Sequence, residues 1–153
     1  MNNIKALLIL IFILYAPSSP LYAADTSGSI QVIVNAQADV TSMTKKHVMA
    51  LFLGRSRAFP NGKPAKAFDN KIGSRLREQF FETLTGKSIS DIDAYWARLR
   101  YSGRASPPKE IDNIDDTLSE VSRNVSAMAY VSGQSPEALS QQGIVVIYTL
   151  EAN

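Results

Sequence analysis

The chain has 153 residues, of which 45% are hydrophobic and 20% charged, and its formal net charge is +2. This composition fits one globular domain and excludes an intrinsically disordered chain. The small charge argues against nucleic acid as a partner, because general nucleic-acid binders present a much more basic surface. The chain has no cysteine and one histidine, which excludes disulfides, thiol catalysis and multi-histidine zinc sites. We therefore expect no cofactor and no metal.

The first 23 residues have the pattern of a cleavable signal peptide. Lys5 supplies a positive charge, residues 6–15 (ALLILIFILY) are apolar without interruption, and Ala23 suits the cleavage site. The alternative is an uncleaved membrane anchor, but this apolar run is about half of the roughly 20 residues that span a bilayer. We expect residues 24–153 to form one domain exported to the periplasm of a Gram-negative bacterium.

The mature chain begins with a predicted strand and a predicted helix. Residues 29–35 (SIQVIVN) are rich in β-branched side chains, which is typical of a buried strand. Thr44 can cap a helix over residues 45–53, which Gly54 ends.

A turn, a strand and a second helix follow. Asn61-Gly62 predicts a tight turn before a short strand over residues 65–68. A helix over residues 74–85 has apolar side chains at a spacing of four, and Gly86 ends it. Those side chains are Leu76, Phe80 and Leu84.

The third predicted helix opens with Ser90 and Asp93, which resemble a capping box. Its apolar face comprises Ile92, Tyr95, Trp96 and Leu99. Residues 101–108 (YSGRASPP) predict a loop, because Gly103 and the proline pair do not continue a helix.

The last third of the chain predicts one helix between strands. Ile114, Leu118, Val121 and Val125 mark a fourth helix, and residues 127–131 (AMAYV) a strand. Ser135-Pro136 starts a short helical turn, and residues 144–150 (IVVIYTL) are the most strand-like run. The pattern predicts an α/β fold in which a mixed sheet is flanked by about four helices.

Four stretches, taken in order, resemble the phosphate-binding proteins of ABC-type phosphate uptake. They are VMALFLG (48–54), FPNGKPAKAF (59–68), SRLREQF (74–80) and AMAYV (127–131). The run from Tyr95-Trp96 to Pro107-Pro108 is similar to a subgroup of short, exported relatives. The resemblance implies a type 2 periplasmic-binding-protein fold, but the chain has the length of a single lobe. It also implies no enzymatic activity, and nothing in the sequence pairs a nucleophile with a base.

The resemblance places an anion site at the start of the helix that follows Ser74. The family's helix opens serine-glycine-threonine, whereas this chain has Ser74, then Arg75 and Leu76; Asn70 stands where the family often has an arginine. Free N–H groups and the dipole favour an anion at a helix start, and Arg75 can add a cation. The alternative is that Ser74 is only an N-cap.

Ser102 and Arg104 are candidates to border the same anion pocket, with an ordinary surface loop as the alternative. His47 is expected on the surface. Asp112, Asp115 and Asp116 miss the spacing of a calcium loop, so we expect them to favour the start of a helix instead.

The predicted function is an exported solute-binding-like protein that binds phosphate or a similar oxyanion in association with ABC-type phosphate uptake. An ABC permease or another envelope protein is an expected partner. A homodimer is a further possibility, since a second copy could supply the missing wall of the site. The alternative function is a ligand-free periplasmic interaction module that kept the fold and docks through exposed aromatic side chains.

Overall fold

The computed structural model describes residues 28–151. The predicted signal peptide, residues 1–23, therefore lies outside the described residues. Within this described range, five strands and five α-helices follow one another. They are β1 (Ser29–Asn35), α1 (Lys45–Phe52), β2 (Lys66–Asn70), α2 (Arg75–Thr85), α3 (Ile89–Tyr101), β3 (Lys109–Ile111), α4 (Ile114–Arg123), β4 (Ala127–Ser132), α5 (Pro136–Gln141) and β5 (Ile144–Glu151).

The strands form one mixed sheet in the order β3-β2-β4-β1-β5. β2 runs parallel to β3 and to β4, whereas β1 is antiparallel to both β4 and β5. The strands β2, β3 and β4 consequently end on the same side of the sheet, at Asn70, Ile111 and Ser132. We call this side the carboxyl edge.

Two hydrophobic clusters lie on the two faces of the sheet. The larger contains side chains from α1, α2 and α3, and the smaller contains Leu118, Val121 and Leu139 from α4 and α5. In the larger cluster the ring of Phe80 stacks on that of Tyr130, with centroids 3.7 Å apart. Burial of each such large side chain is worth about 1.5–3 kcal/mol, so this packing fixes α2 on the sheet.

A β-bulge interrupts the pairing of β1 with β5. Val32 pairs with Tyr148 and Ile33 with Val146, which leaves Ile147 without a partner in β1. The backbone N–H of Met43 donates to the carbonyl oxygen of Ile147 at 2.9 Å. The extra residue therefore ties the segment before α1 to the sheet.

Most predicted elements are confirmed, including the cap of α1 at Thr44 and the exposure of His47. The capping box at Ser90 and Asp93 is wrong: Ser88 caps α3 and accepts from the backbone N–H of Asp91. Five helices flank the sheet where about four were expected, because residues 136–141 form a full helix.

Two smaller expectations also need correction. Val125 lies beyond the end of α4 and is exposed, although it was expected on the buried face of that helix. The three-residue strand β3 was not predicted. Among the described residues, none of the helices is both long and apolar enough to cross a bilayer.

Candidate functional site

The start of α2 lies at the carboxyl edge, directly after β2. Gly73 has a φ of +82°, a conformation that favours glycine, and it turns the chain into the helix. Ser74 is the N-cap, and its hydroxyl oxygen accepts from the backbone N–H of Arg77 at 3.3 Å. The other amides of the first turn have no acceptor within the helix. These amides give the N-terminal end of α2 a partial positive charge. This end lies at the carboxyl edge, where open α/β sheets bind ligands.

The loop before α2 is held against β3 and the residue that follows it. The backbone N–H of Ile72 donates to a carboxylate oxygen of Glu110 at 3.0 Å. Lys71 and Asp112 form an exposed ion pair at 3.9 Å, which contributes little in water. These contacts place Lys71, Glu110 and Asp112 near the start of the helix, where Arg75 is the first helical residue.

Beneath this surface lies a buried ionic network centred on Asp69 and Arg77. The Nε of Arg77 donates to Asp69 at 2.9 Å, and its Nη2 donates to Asp93 at 2.9 Å. The hydroxyl of Tyr130 donates to Asp69 at 2.5 Å, and the backbone N–H of Asn70 donates to the same oxygen at 2.9 Å. The network thus joins β2, α2, α3 and β4 at one point.

Burial perturbs the titration of this network. It raises the pKa of Asp69 above its ordinary value, although hydrogen bonds from Tyr130 and Arg77 work in the opposite direction. It also raises the pKa of Tyr130 well above the usual range, and the neighbouring Asp69 charge adds to this effect. Burial disfavours the charge of Arg77, but pairing with Asp69 and Asp93 outweighs it and raises the pKa. Tyr130 therefore stays protonated and acts as a hydrogen-bond donor.

A cavity of about 200 Å³ opens beside this network. Its lining residues are Asp69, Ile72, Arg77, Asp93, Trp96, Arg100, Pro107, Pro108 and Glu110. Ile72, just before α2, and Arg100, near the end of α3, both line this cavity. The start of α2 and the end of α3 are therefore neighbours. We call this space the Arg77 cavity.

The four predicted site residues lie near these helix ends but outside the Arg77 cavity. Ser74 is half-buried and Arg75 is exposed. Ser102 and Arg104 are exposed just after α3, where the hydroxyl of Ser102 donates to the carbonyl oxygen of Leu99 at 3.1 Å. The structure brings together Ser74 and Arg75 at the start of α2, whereas Ser102 and Arg104 follow the C-terminal, partially negative end of α3.

Sequence reasoning missed Asp69, Arg77 and Tyr130 as members of a polar network. One signal for Arg77 was available: it precedes Phe80, Phe81 and Leu84 by three, four and seven residues, so it lies on the apolar face of α2. A charged residue at such a position needs a buried partner. No comparable local signal identifies Tyr130, which lies in an apolar strand.

Across residues 28–151, His, Asp and Glu side chains do not gather in groups of three or more that could hold a metal ion. The aspartates at the start of α4 have a structural role instead, since the side chain of Asn113 accepts from the backbone N–H of Asp116 at 2.9 Å.

The fold is similar to part of several solved structures, all of them phosphate-binding transport proteins by description. Similar solved structures include a phosphate ABC transporter substrate-binding protein of Clostridium perfringens with bound phosphate, an ABC-type phosphate transport receptor of Vibrio cholerae and PstS of Borrelia burgdorferi. Their TM-scores are 0.57, 0.58 and 0.60, at sequence identities of 15%, 13% and 8%. Each match covers 78% of this chain.

The same matches cover only 45%, 45% and 46% of the three neighbours, so this chain spans less than half the length of each. The comparison confirms the single periplasmic-binding-protein-like lobe that the sequence predicted. Because the identities are so low, the likeness is one of fold. No protein-family model and no curated protein matches the chain.

Proposed function

We propose that this protein binds phosphate or a closely related oxyanion at the start of α2, and that it works with ABC-type phosphate uptake. The observation that carries the proposal is the position of the α2 start at the carboxyl edge of a lobe whose fold matches phosphate-binding proteins. One of those neighbours was solved with phosphate bound.

The chemistry of the α2 start suits an oxyanion. Backbone N–H groups without helical acceptors donate to anionic oxygens, and the helix dipole adds a partial positive charge. Arg75 is exposed and free to approach the same anion with a planar guanidinium. The hydroxyl of Ser74 can donate to an anion oxygen while its own oxygen still accepts from Arg77.

One lobe leaves such a site open on one side. A binding protein with two lobes closes around its ligand, whereas here the opposing wall has to come from another chain. A second copy or an envelope protein such as an ABC permease could supply it. The proposal therefore includes weak binding by the isolated chain and stronger binding in the assembled state.

The export of the chain is part of the proposal. The residues that support it are the apolar run at 6–15 and the small residue Ala23. Expression of the full chain in a Gram-negative host should yield a periplasmic protein whose N-terminal sequence begins at residue 24. A protein that stays in the membrane fraction at full length would contradict this point.

The binding test is a thermal-shift titration of the processed protein with phosphate and with sulfate at matched ionic strength. A ligand at 100 times its Kd stabilises the folded state by about 2.7 kcal/mol, which is a rise in Tm of several degrees. The variant Ser74→Ala/Arg75→Ala should lose this rise. The variant Ser102→Ala/Arg104→Ala tests the second predicted pair in the same assay.

Loss of the hydroxyl also removes the N-cap, which costs about 1 kcal/mol. The cap variant Ser135→Ala is the matched control, because Ser135 caps α5 in the same way. It should lower the Tm and leave the phosphate response intact. A well-folded wild-type protein with a flat response to both anions would refute the oxyanion proposal.

A second candidate function is a ligand-free interaction module of the cell envelope. The observation that favours it is the side chain of Tyr101, which is 97% exposed at the end of α3. Exposed aromatic side chains are common at protein interfaces. Two results together would support this function. The wild type shows no thermal shift with phosphate or sulfate, and in pull-downs it retains an envelope protein that Tyr101→Ala does not retain.

A further inference from the structure

A second cavity, of about 220 Å³, includes the first residues of β2 and β3 in its lining. The carboxyl edge lies at the other ends of these two strands. Among the described residues that line the cavity there are three cations, Arg57, Lys66 and Lys109, and no acid. We call this space the Arg57 cavity.

The backbone brings the three cations together from three separate segments. The N–H of Ala65 donates to the carbonyl oxygen of Arg57 at 2.9 Å, which places Arg57 beside the residue that precedes Lys66. Lys109 is the partner of Phe68 in the register of β2 and β3. The Nζ of Lys66 lies 5.1 Å from the centre of the Phe68 ring. Strand pairing and hydrogen bonds therefore fix the positions from which the three charged side chains extend.

These cations have no acidic partner within the part of the chain that the structure describes. The ion pairs of residues 28–151 join other residues. All three cationic residues are exposed, so their charged groups can reach a ligand. Charges of one sign around a concave surface repel one another and raise the local concentration of counter-ions. Three cations without an acid therefore favour an occupant that carries more than one negative charge.

The size and the remaining lining of the cavity define the rest of the occupant. The volume of about 220 Å³ is several times the roughly 30 Å³ that a water molecule occupies in the liquid. The proline rings have a fixed φ, so they form a rigid part of the wall. A carbon skeleton can pack on this apolar surface, whereas a bare inorganic anion leaves it without a partner. The apolar lining residues are Leu51, Ala65, Ala67, Trp96, Pro107 and Pro108.

We propose that the Arg57 cavity binds a compact aliphatic polycarboxylate. Its carboxylates pair with Arg57, Lys66 and Lys109, and its carbon chain packs on Pro107 and Pro108. Arg57 can hold one carboxylate through two parallel hydrogen bonds, whereas the two lysines act as point charges. The site shares no residue with the oxyanion site at the start of α2, so it does not depend on the proposed function.

A series of three probes keeps one three-carbon skeleton and changes only the number of carboxylates. The probes are propane-1,2,3-tricarboxylate, glutarate and butyrate, which are ionised near pH 8 because carboxyl pKa values lie near 4. We would titrate the processed protein with each probe in chloride at constant ionic strength and follow the backbone amide resonances by NMR. The tricarboxylate should shift the resonances of Arg57, Ala65 and Lys109 saturably. Each carboxylate removed should weaken binding about fivefold. A folded protein without a saturable shift, or with equal binding of all three probes, would overturn the proposal.

Phosphate separates the requirement for a carbon skeleton from the requirement for charge. It has no apolar part, so it should compete with the tricarboxylate at least tenfold more weakly than glutarate does. The double variant Ser74→Ala/Arg75→Ala should bind the tricarboxylate like wild type, even though it loses the thermal shift expected with phosphate. Displacement of the tricarboxylate by an equal concentration of phosphate would contradict a polycarboxylate site. Loss of tricarboxylate binding in the double variant would refute a site separate from the start of α2.

Two neighbouring arginines provide a matched pair of variants. Arg57→Gln removes one cation from the cavity and should weaken tricarboxylate binding about fivefold. Arg55→Gln is the control, because Arg55 lies two residues earlier, is also exposed and does not line the cavity. It removes the same charge and should bind the tricarboxylate like wild type. Lys109→Gln, in a different segment, should weaken binding as Arg57→Gln does. Equal losses in Arg55→Gln and Arg57→Gln would show an effect of net charge alone and would refute the site.

Discussion

The substitution Tyr130→Phe tests the buried network with little change of shape. It removes the hydroxyl that donates to Asp69 at 2.5 Å and keeps the ring that stacks on Phe80. The backbone N–H of Asn70 loses its longer contact with that hydroxyl, at 3.3 Å, but keeps its hydrogen bond to Asp69 at 2.9 Å. The substitution therefore deletes one hydrogen bond to a buried carboxylate and leaves no backbone donor unpaired.

The magnitude follows from the charge of the acceptor. A hydrogen bond to a charged group contributes about 1.5–3 kcal/mol, so we expect the free energy of unfolding at neutral pH to fall by about 2 kcal/mol. For a domain of this size that corresponds to a fall in Tm of roughly 6–10 °C. Urea titration followed by circular dichroism measures the change. The control is Tyr101→Phe, whose side chain is almost fully exposed and should change stability by less than about 0.5 kcal/mol.

The loss should also depend on pH. Burial raises the pKa of Asp69 above its unfolded value, so the folded state holds this proton more tightly than the unfolded chain. The stability from this group is fully present below the unfolded pKa of about 3.9 and is lost as the pH rises through the folded pKa. Tyr130→Phe raises the pKa of Asp69 further, because the lost hydroxyl stabilised the carboxylate.

The cost of Tyr130→Phe is consequently small near pH 3.5 and grows toward neutral pH. Urea titrations of wild type and variant across this range give the difference directly. A loss that is the same at all pH values, or one no larger than that of Tyr101→Phe at pH 7, would refute the reasoning.

Two further substitutions probe the same region. Arg77→Met leaves Asp69 without its ion pair and should lower the free energy of unfolding by about 3–5 kcal/mol. Asp93→Asn should lower it by about 1 kcal/mol or less, because the Asp93 side chain is 49% exposed. Similar losses for the two variants in urea titrations would contradict this ranking. In Gly54→Ala, the new Cβ would lie 2.9 Å from Cη2 of Trp96, so the fluorescence of this tryptophan should shift. The free energy of unfolding of Gly54→Ala should be lower than that of Gly62→Ala by about 1 kcal/mol. Gly62 has a similar φ with open space around it, and equal losses at the two glycines would exclude strain at Trp96.

The order of elements could be predicted because it depends on local signals. The β-branched run of β1, the Thr44 cap and the glycines after α1 and α2 lie within a few residues of what they specify. The strand β3 could not be predicted, since its three residues form a strand only by pairing with β2, about forty residues earlier. The capping box at Ser90 and Asp93 failed for a different, local reason: the same spacing occurs two residues earlier, at Ser88 and Asp91, and the helix begins there.

The candidate site divides in the same way. Ser74 and Arg75 could be proposed from the chain alone because a helix start is a local feature. The Arg77 cavity could not, because it forms where residues from β2, α2, α3 and the loop after α3 meet.

The bulge in β5 makes the last strand intolerant of changes in length. Val145 and the bulged residue Ile147 pack on the larger cluster, and after the bulge Tyr148 and Leu150 do so. One extra residue thus switches which side chains face the larger cluster. Because Ile144 and Val146 pack on the smaller cluster, the run IVVIYTL shows no regular alternation of polar and apolar residues. Deleting Ile147 would restore continuous pairing between β1 and β5, and it would leave the backbone N–H of Met43 without its acceptor. Homologous chains should therefore tolerate substitutions in β5 much more readily than a one-residue gap.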